Sequence, residues 1–128
     1  MQALVVDDSA AVRQLLVEHL GRLGFQVEQA ANGFEALARL QSMPDVAVVI
    51  LDWTMPGMDG LQTLRRIRAD ARCADVPVVM VTTDGELPYV EDAFEAGASE
   101  YLIKPFDGQT VLEKLLLLGV DPEIRRAA

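Results

Sequence analysis

Five residues of this chain are of types that could act together on a charged group. Asp7 and Asp8 close the apolar run 3–6, Asp52 closes the run 46–51, Thr82 follows 76–81, and Lys104 follows 100–103. Three carboxylates meeting in a partly desolvated site repel one another by on the order of several kcal/mol unless a cation enters or protons stay bound. A divalent ion is the natural remedy. Hard oxygen ligands that leave positions for water and a phosphoryl oxygen suit Mg²⁺ better than an all-protein Ca²⁺ cage, and no Cys or His is placed to favour zinc. A carboxylate such as Asp52 can also attack a phosphoryl group and carry it covalently. The transfer needs positive charge on the equatorial oxygens. Mg²⁺ and the Lys104 ammonium would supply it, and the Thr82 hydroxyl would donate a hydrogen bond to a further oxygen.

Such a site requires elements that bring distant residues to one edge. The runs 3–6 and 46–51 are rich in Val, Ile and Leu, as strands buried on both faces should be. Further strands are expected over 25–29, 76–81 and 100–103. Between them lie helical stripes: Val12, Leu15, Leu16, Leu20 and Leu23 after a Ser9 cap, and Phe34, Leu37 and Leu40 after an Asn32 cap with Glu35 three residues on. Leu61, Leu64 and Ile67 follow a Pro- and Gly-rich loop, a weaker stripe runs over 87–96, and Val111, Leu112, Leu115 and Leu116 mark a last helix over 108–118. Five strands alternating with five helices predict an α/β fold, a flavodoxin-like three-layer sandwich with a parallel sheet. In strand order 2-1-3-4-5 the first and third strands are neighbours, which would gather Asp7, Asp8 and Asp52 at the carboxyl edge, where open sheets of this kind carry their sites.

Each of these residues also has an ordinary role. Paired acids are commonly a solvated turn or a helix cap, Lys104 before a proline could be surface charge, and Thr82 could be a strand-end hydroxyl bonded to backbone. Their shared edge favours the site. Asp59-Gly60 is read as turn and cap chemistry, and neither His19 nor Cys73 has neighbours that assign it a function. Trp53 should point to the opposite side of the chain from Asp52.

Composition narrows the classes. At 128 residues, the expected layout is one domain over 1–119 with a short tail over 120–128. Twenty acids against eleven bases, a net charge of −9, oppose direct binding to nucleic acid. No apolar stretch approaches the roughly 20 residues that insert into a membrane. The absence of a signal-peptide pattern and a single cysteine point to the cytoplasm.

The stretches Leu4-Val5-Val6-Asp7-Asp8-Ser9, Asp52-Trp53-Thr54-Met55-Pro56-Gly57-Met58-Asp59-Gly60, Val81-Thr82 and Tyr101-Leu102-Ile103-Lys104-Pro105-Phe106 together resemble the receiver domains of the response-regulator family. The resemblance implies a single-domain response regulator of a two-component phosphorelay. A histidine kinase or phosphotransfer protein, or a small acyl phosphate, would phosphorylate Asp52. Asp7, Asp8, Asp52 and the Thr54 carbonyl would hold Mg²⁺, and Lys104 would contact the phosphoryl group. Thr82 and Tyr101 would switch together and remodel a surface around Tyr101 that binds a downstream target protein, with chemotaxis or motility control the nearest analogy. The protein would be a phosphoacceptor that catalyses only its own phosphorylation and dephosphorylation.

Two positions depart from the chemotaxis receivers it resembles: Thr54 stands where they carry Asn, and Asp84 where they carry Glu. Both would tune hydrolysis of the phosphorylated state. Other readings are a Mg²⁺-dependent phosphohydrolase with an aspartate nucleophile, which would usually need an acid at position 54, and a flavin carrier, which would need a phosphate-cradling loop after the first strand. A receiver module separated from its output domain is a further alternative.

Overall fold

Five strands and five helices alternate in the computed structural model, which describes residues 1–120. The strands are β1 (Gln2–Val6), β2 (Gln26–Ala30), β3 (Val46–Asp52), β4 (Val78–Thr82) and β5 (Glu100–Ile103). The helices are α1 (Ala10–Arg22), α2 (Gly33–Gln41), α3 (Gly60–Ala69), α4 (Val90–Glu95) and α5 (Gly108–Leu117). All pairings are parallel and the sheet order is β2-β1-β3-β4-β5. This is the doubly wound, flavodoxin-like arrangement expected from the alternation of apolar runs and stripes. The Asp84 side chain and the expected tail from residue 121 lie outside the described residues.

Strand alternation sorts the core into two layers. Leu4, Val6, Val49, Leu51, Val78 and Met80 face α2, α3 and α4, meeting Ala36, Leu40, Leu64, Ile67 and Ala93. Ala3, Val5, Val48, Ile50, Val79 and Val81 face the other way, against Leu16 and Leu20 of α1 and Val111 and Leu115 of α5. Both faces of β1, β3 and β4 are covered, which is why these strands read as unbroken apolar runs. Val120 is buried in the second layer, its N–H donating to Leu115 O at 2.9 Å.

Side-chain caps begin four of the helices. Ser9, Asn32, Asp59 and Asp107 accept from the N–H of Val12, Glu35, Gln62 and Thr110. Asp59 and Gln62 form a reciprocal capping box, the role expected of Asp59-Gly60. Gly60 itself is required: a Cβ there would collide with the Asp52 carbonyl oxygen and lie 2.8 Å from Trp53 Cα. The turn into α3 therefore folds directly onto the end of β3, with Gly60 N–H donating to Trp53 O at 2.8 Å.

Three local expectations shift. β4 starts at Val78, two residues later than its apolar run, because Pro77 has no N–H for the ladder; its carbonyl still accepts from Val49 N–H at 2.9 Å. The α4 region opens as a 3₁₀ segment, Asp84–Tyr89, with Pro88 inside it, and regular helix begins only at Val90. Phe34, expected on the buried stripe of α2, is 63 % exposed. The close approach of α2 to α3 is made at Gly33, where a Cβ would strike the Thr63 hydroxyl, so the helix turns Gly33, Ala36 and Leu40 inward instead.

Candidate functional site

The carboxyl ends of β1, β3, β4 and β5 converge on one edge. Asp7 follows β1 directly, Asp52 and Thr82 are the last residues of β3 and β4, and Lys104 follows β5. The β3–β4 register pairs Asp52 with Val81, and the β4–β5 register pairs Thr82 with Ile103. Asp52 thus continues the side-chain row of Val48 and Ile50, whereas Trp53 packs with Leu51 against the opposite layer. That is the orientation expected for Trp53.

Carboxylate oxygens of Asp7, Asp8 and Asp52 all lie within 4.8 Å of one another. Asp7 and Asp52 are buried and Asp8 is exposed, so the trio opens to solvent on one side. The Lys104 ammonium reaches in to 3.1 Å from Asp7 Oδ2 and 3.2 Å from Asp52 Oδ1. Burial, together with the charge of Asp7, pushes the Asp52 carboxyl up to about 6, a rise that Lys104 only partly offsets. Desolvation pulls the Lys104 ammonium down, but Asp7 and Asp52 together outweigh it and hold it above the ordinary lysine value.

Asp7 is fixed by local backbone. Its Oδ1 accepts from Ser9 N–H at 2.8 Å, and its carbonyl accepts from the Arg13 guanidinium at 2.7 Å. Its Oδ2 is buried and is met by the Lys104 ammonium, whereas the buried Thr82 hydroxyl has no hydrogen-bond partner. Native interiors rarely leave a buried hydroxyl unsatisfied, and one at this edge marks a place where a ligand completes the bonding. Three clustered carboxylates balanced by a single ammonium suit a hard divalent cation. An orphan hydroxyl at the same sheet edge as an ammonium suits an anion. Asp7, Asp8 and Asp52 can therefore hold a metal.

Thr54 is exposed, and its hydroxyl donates to Glu86 Oε2 at 2.7 Å. Tyr101 is half-buried on β5, its ring 4.3 Å from the Lys114 ammonium and edge-on to Phe94 with centroids 6.4 Å apart. His19 is half-buried and away from the carboxylates, where a Cβ on Gly108 would come within 2.8 Å of its ring. Cys73 is buried near Val46 and Val76 at the amino ends of β3 and β4, and burial raises its thiol pKa. Neither joins the site. Two residues not singled out from the sequence do reach it: Arg13, through the Asp7 carbonyl, and Glu86, through Thr54. The Thr83-x-x-Glu86 spacing is a capping-box pattern and is the signal that could have found Glu86.

A five-stranded sheet in this order, with an acidic trio, a hydroxyl and a lysine at its carboxyl edge, defines a phosphoacceptor switch domain. The chain matches the response regulator receiver domain family over residues 3–116 and belongs to that family. It is a receiver domain of two-component phosphorelay signalling and closely resembles chemotaxis response regulators. It is 41 % identical to chemotaxis protein CheY1 of Helicobacter pylori over 123 residues, covering 94 % of this chain and 99 % of that one. With the CheY homolog of Campylobacter jejuni it shares 43 % identity over 116 residues, covering 90 % and 89 % of the two chains. The solved structure of chemotaxis response regulator CheY4 of Vibrio cholerae superposes with a TM-score of 0.85 at 34 % identity, covering 91 % of this chain and 97 % of that one. No helix among the described residues is long and apolar enough to cross a membrane.

Proposed function

We propose that this protein accepts a phosphoryl group on Asp52 from a histidine kinase or phosphotransfer protein and signals through altered protein contacts. The observation that carries this reading is the Lys104 ammonium set between Asp7 and Asp52, with a buried Thr82 hydroxyl left without a hydrogen-bond partner at the same sheet edge. An Asp52 carboxylate oxygen attacks phosphorus, a P–O bond forms, and the donor's P–N or acyl P–O bond breaks with its electron pair leaving on the donor. Lys104 keeps its proton throughout and neutralises charge on an equatorial oxygen, while the Thr82 hydroxyl finds its missing acceptor on another.

Asp7, Asp8, Asp52 and the Thr54 carbonyl would hold Mg²⁺, which would supply the remaining positive charge that a dianionic group needs beside three carboxylates. Movement of Thr82 towards the phosphoryl group would open room behind it for Tyr101. The Tyr101 ring must then leave Lys114 and Phe94, and the face made by α4, β5 and α5 changes for a downstream target protein. Thr54 and Asp84 tune the lifetime of the phosphorylated state. The names of its relatives suggest control of chemotaxis, carried out in the cytoplasm without direct contact with nucleic acid, and the only chemistry the domain performs is on its own acceptor.

Intact mass after incubation with acetyl phosphate and Mg²⁺ tests the reading. Wild type is expected to gain one phosphoryl group and Asp52→Asn none. Equal labelling of the two, or none of wild type, overturns it, and fast multiple turnover of small phosphate esters would point to a phosphohydrolase instead.

A further inference from the structure

One carboxylate joins the loops that leave β3 and β4. Glu86 Oε2 accepts from the Thr54 hydroxyl at 2.7 Å, while its Oε1 accepts from Thr83 N–H at 2.7 Å and from the Thr83 hydroxyl at 2.9 Å. Thr54 lies two residues past Asp52 on the loop leaving β3, and Thr83 lies one residue past Thr82 on the loop leaving β4. Three hydrogen bonds accepted by one carboxylate thus join the two loops that flank Asp52. Bonds to a charged acceptor are the stronger kind. The 3₁₀ segment Asp84–Tyr89 makes this possible, because its tight first turn returns Glu86 to Thr83, with Glu86 N–H donating to Thr83 O at 3.0 Å.

We propose that Glu86 is a positioning residue that holds the Thr54 hydroxyl away from Asp52 and thereby slows hydrolysis of the phosphorylated acceptor. The inference rests on Asp52 being that acceptor. Thr54 is the exposed polar side chain that Asp52 meets first along the chain, and its hydroxyl has two fates. Bonded to Glu86, it has its proton committed and its oxygen turned to the neighbouring loop. Released, it is free to hydrogen-bond a water molecule beside phosphorus, where water attacks in line, a P–O bond to water forms and the Asp52–phosphorus bond breaks with its electron pair returning to the carboxylate. Glu86 also ties the start of the β4–α4 connection to the β3–α3 loop.

The tie is tested apart from the chemistry by amide hydrogen exchange on the unphosphorylated protein. Glu86→Ala is expected to lower the protection of the Thr83 amide while leaving the β3 and β4 amides as in wild type. Unchanged Thr83 exchange overturns the proposal whatever Asp52 does. The lifetime of the acetyl-phosphate-labelled protein, followed by intact mass, is the second arm. Glu86→Ala is expected to shorten it about three- to tenfold, the worth of one modest hydrogen bond. Glu86→Gln, whose oxygen can keep the tie to Thr83 but whose amide can only donate to Thr54 and so frees the Thr54 proton, is expected to shorten it as well while keeping Thr83 protected. In a Thr54→Val background, Glu86→Ala should then change the lifetime little, because the released hydroxyl is gone. An equal shortening in both backgrounds overturns a role through Thr54. A wild type that takes no phosphoryl group refutes the acceptor reading, and this lifetime effect with it, whereas a labelled wild type with insensitive lifetimes refutes only the role of Glu86.

Discussion

The Lys104 ammonium lies 3.2 Å from Asp52 Oδ1, and it occupies the space between that carboxylate and Asp7 where positive charge is most needed. In metal-free protein Lys104 is a partial counter-ion for the acidic trio, and it competes there with any incoming cation. Lys104→Met is therefore expected to separate two measurements. Phosphoryl incorporation from acetyl phosphate should fall about a hundredfold, while Mg²⁺ affinity, read from Trp53 fluorescence, should hold or rise. A parallel loss of both would mean that the lysine only supports the fold.

The Asp52 carboxyl is raised from 3.8 to about 6 by burial and by Asp7. Folding without metal thus favours its neutral form, so its contribution to stability is complete below pH 3.8 and is lost as pH rises through about 6. Asp52→Asn cannot ionise. In denaturant unfolding without Mg²⁺ it should be more stable than wild type at pH 8, by up to about 3 kcal/mol, with little difference at pH 4. A stability difference independent of pH would rule out this origin.

The same shift governs the metal. Binding requires an ionised Asp52, so each unit below about 6 should weaken Mg²⁺ roughly tenfold. Titrations at pH 8 and pH 5 should differ by about an order of magnitude in wild type. In Asp52→Asn the dependence over that interval should flatten, and its persistence there would move the titrating group elsewhere.

Gly60 gives a purely steric test. A methyl group at this position meets the backbone of Asp52 and Trp53, which cannot swing aside as a flexible side chain would. Gly60→Ala should cost about 1–3 kcal/mol in urea unfolding. It should also displace the acceptor, so that phosphoryl labelling slows more than in Gly21→Ala, where a Cβ would meet nothing within 4 Å.

Arg68 on α3 donates to Gly97 O and Cys73 O at 2.9 Å each and to Ser99 Oγ at 3.4 Å, joining α3 to the turn before β5. Arg68→Ala leaves two partly buried carbonyls without this donor and should destabilise by about 2–3 kcal/mol. Mg²⁺ binding at the far edge should be unaffected, as chelator-controlled fluorescence titrations can check.

The acidic trio and Lys104 were legible because each residue interrupts or follows an apolar run, and parallel strands place such ends on one edge. What local pattern could not convey is how elements meet. Periodicity alone put Phe34 on the inner stripe, yet the contact surface of α2 was chosen by Gly33 and its approach to Thr63. Pro77 and Pro88 moved the starts of β4 and α4 through their missing N–H groups, an effect that apolar content does not register. Arg13, Arg68 and Glu86 act on backbone or on residues of other elements, so their roles appear only when loops distant in sequence are brought together. Glu86 alone carried a local signal, in its spacing from Thr83.

The parallel registers give the acceptor one more property. Asp52 lies on the same side-chain row as Ile50, so a slip of β3 by a single residue would send the acceptor to the wrong side of the sheet and expose apolar groups in the same step. No partly correct alignment leaves the chemistry intact. Phosphoryl uptake on Asp52, as proposed above, would thus be an internal audit of the domain's folding, and screens for active variants would select for correctly registered sheets without measuring stability at all.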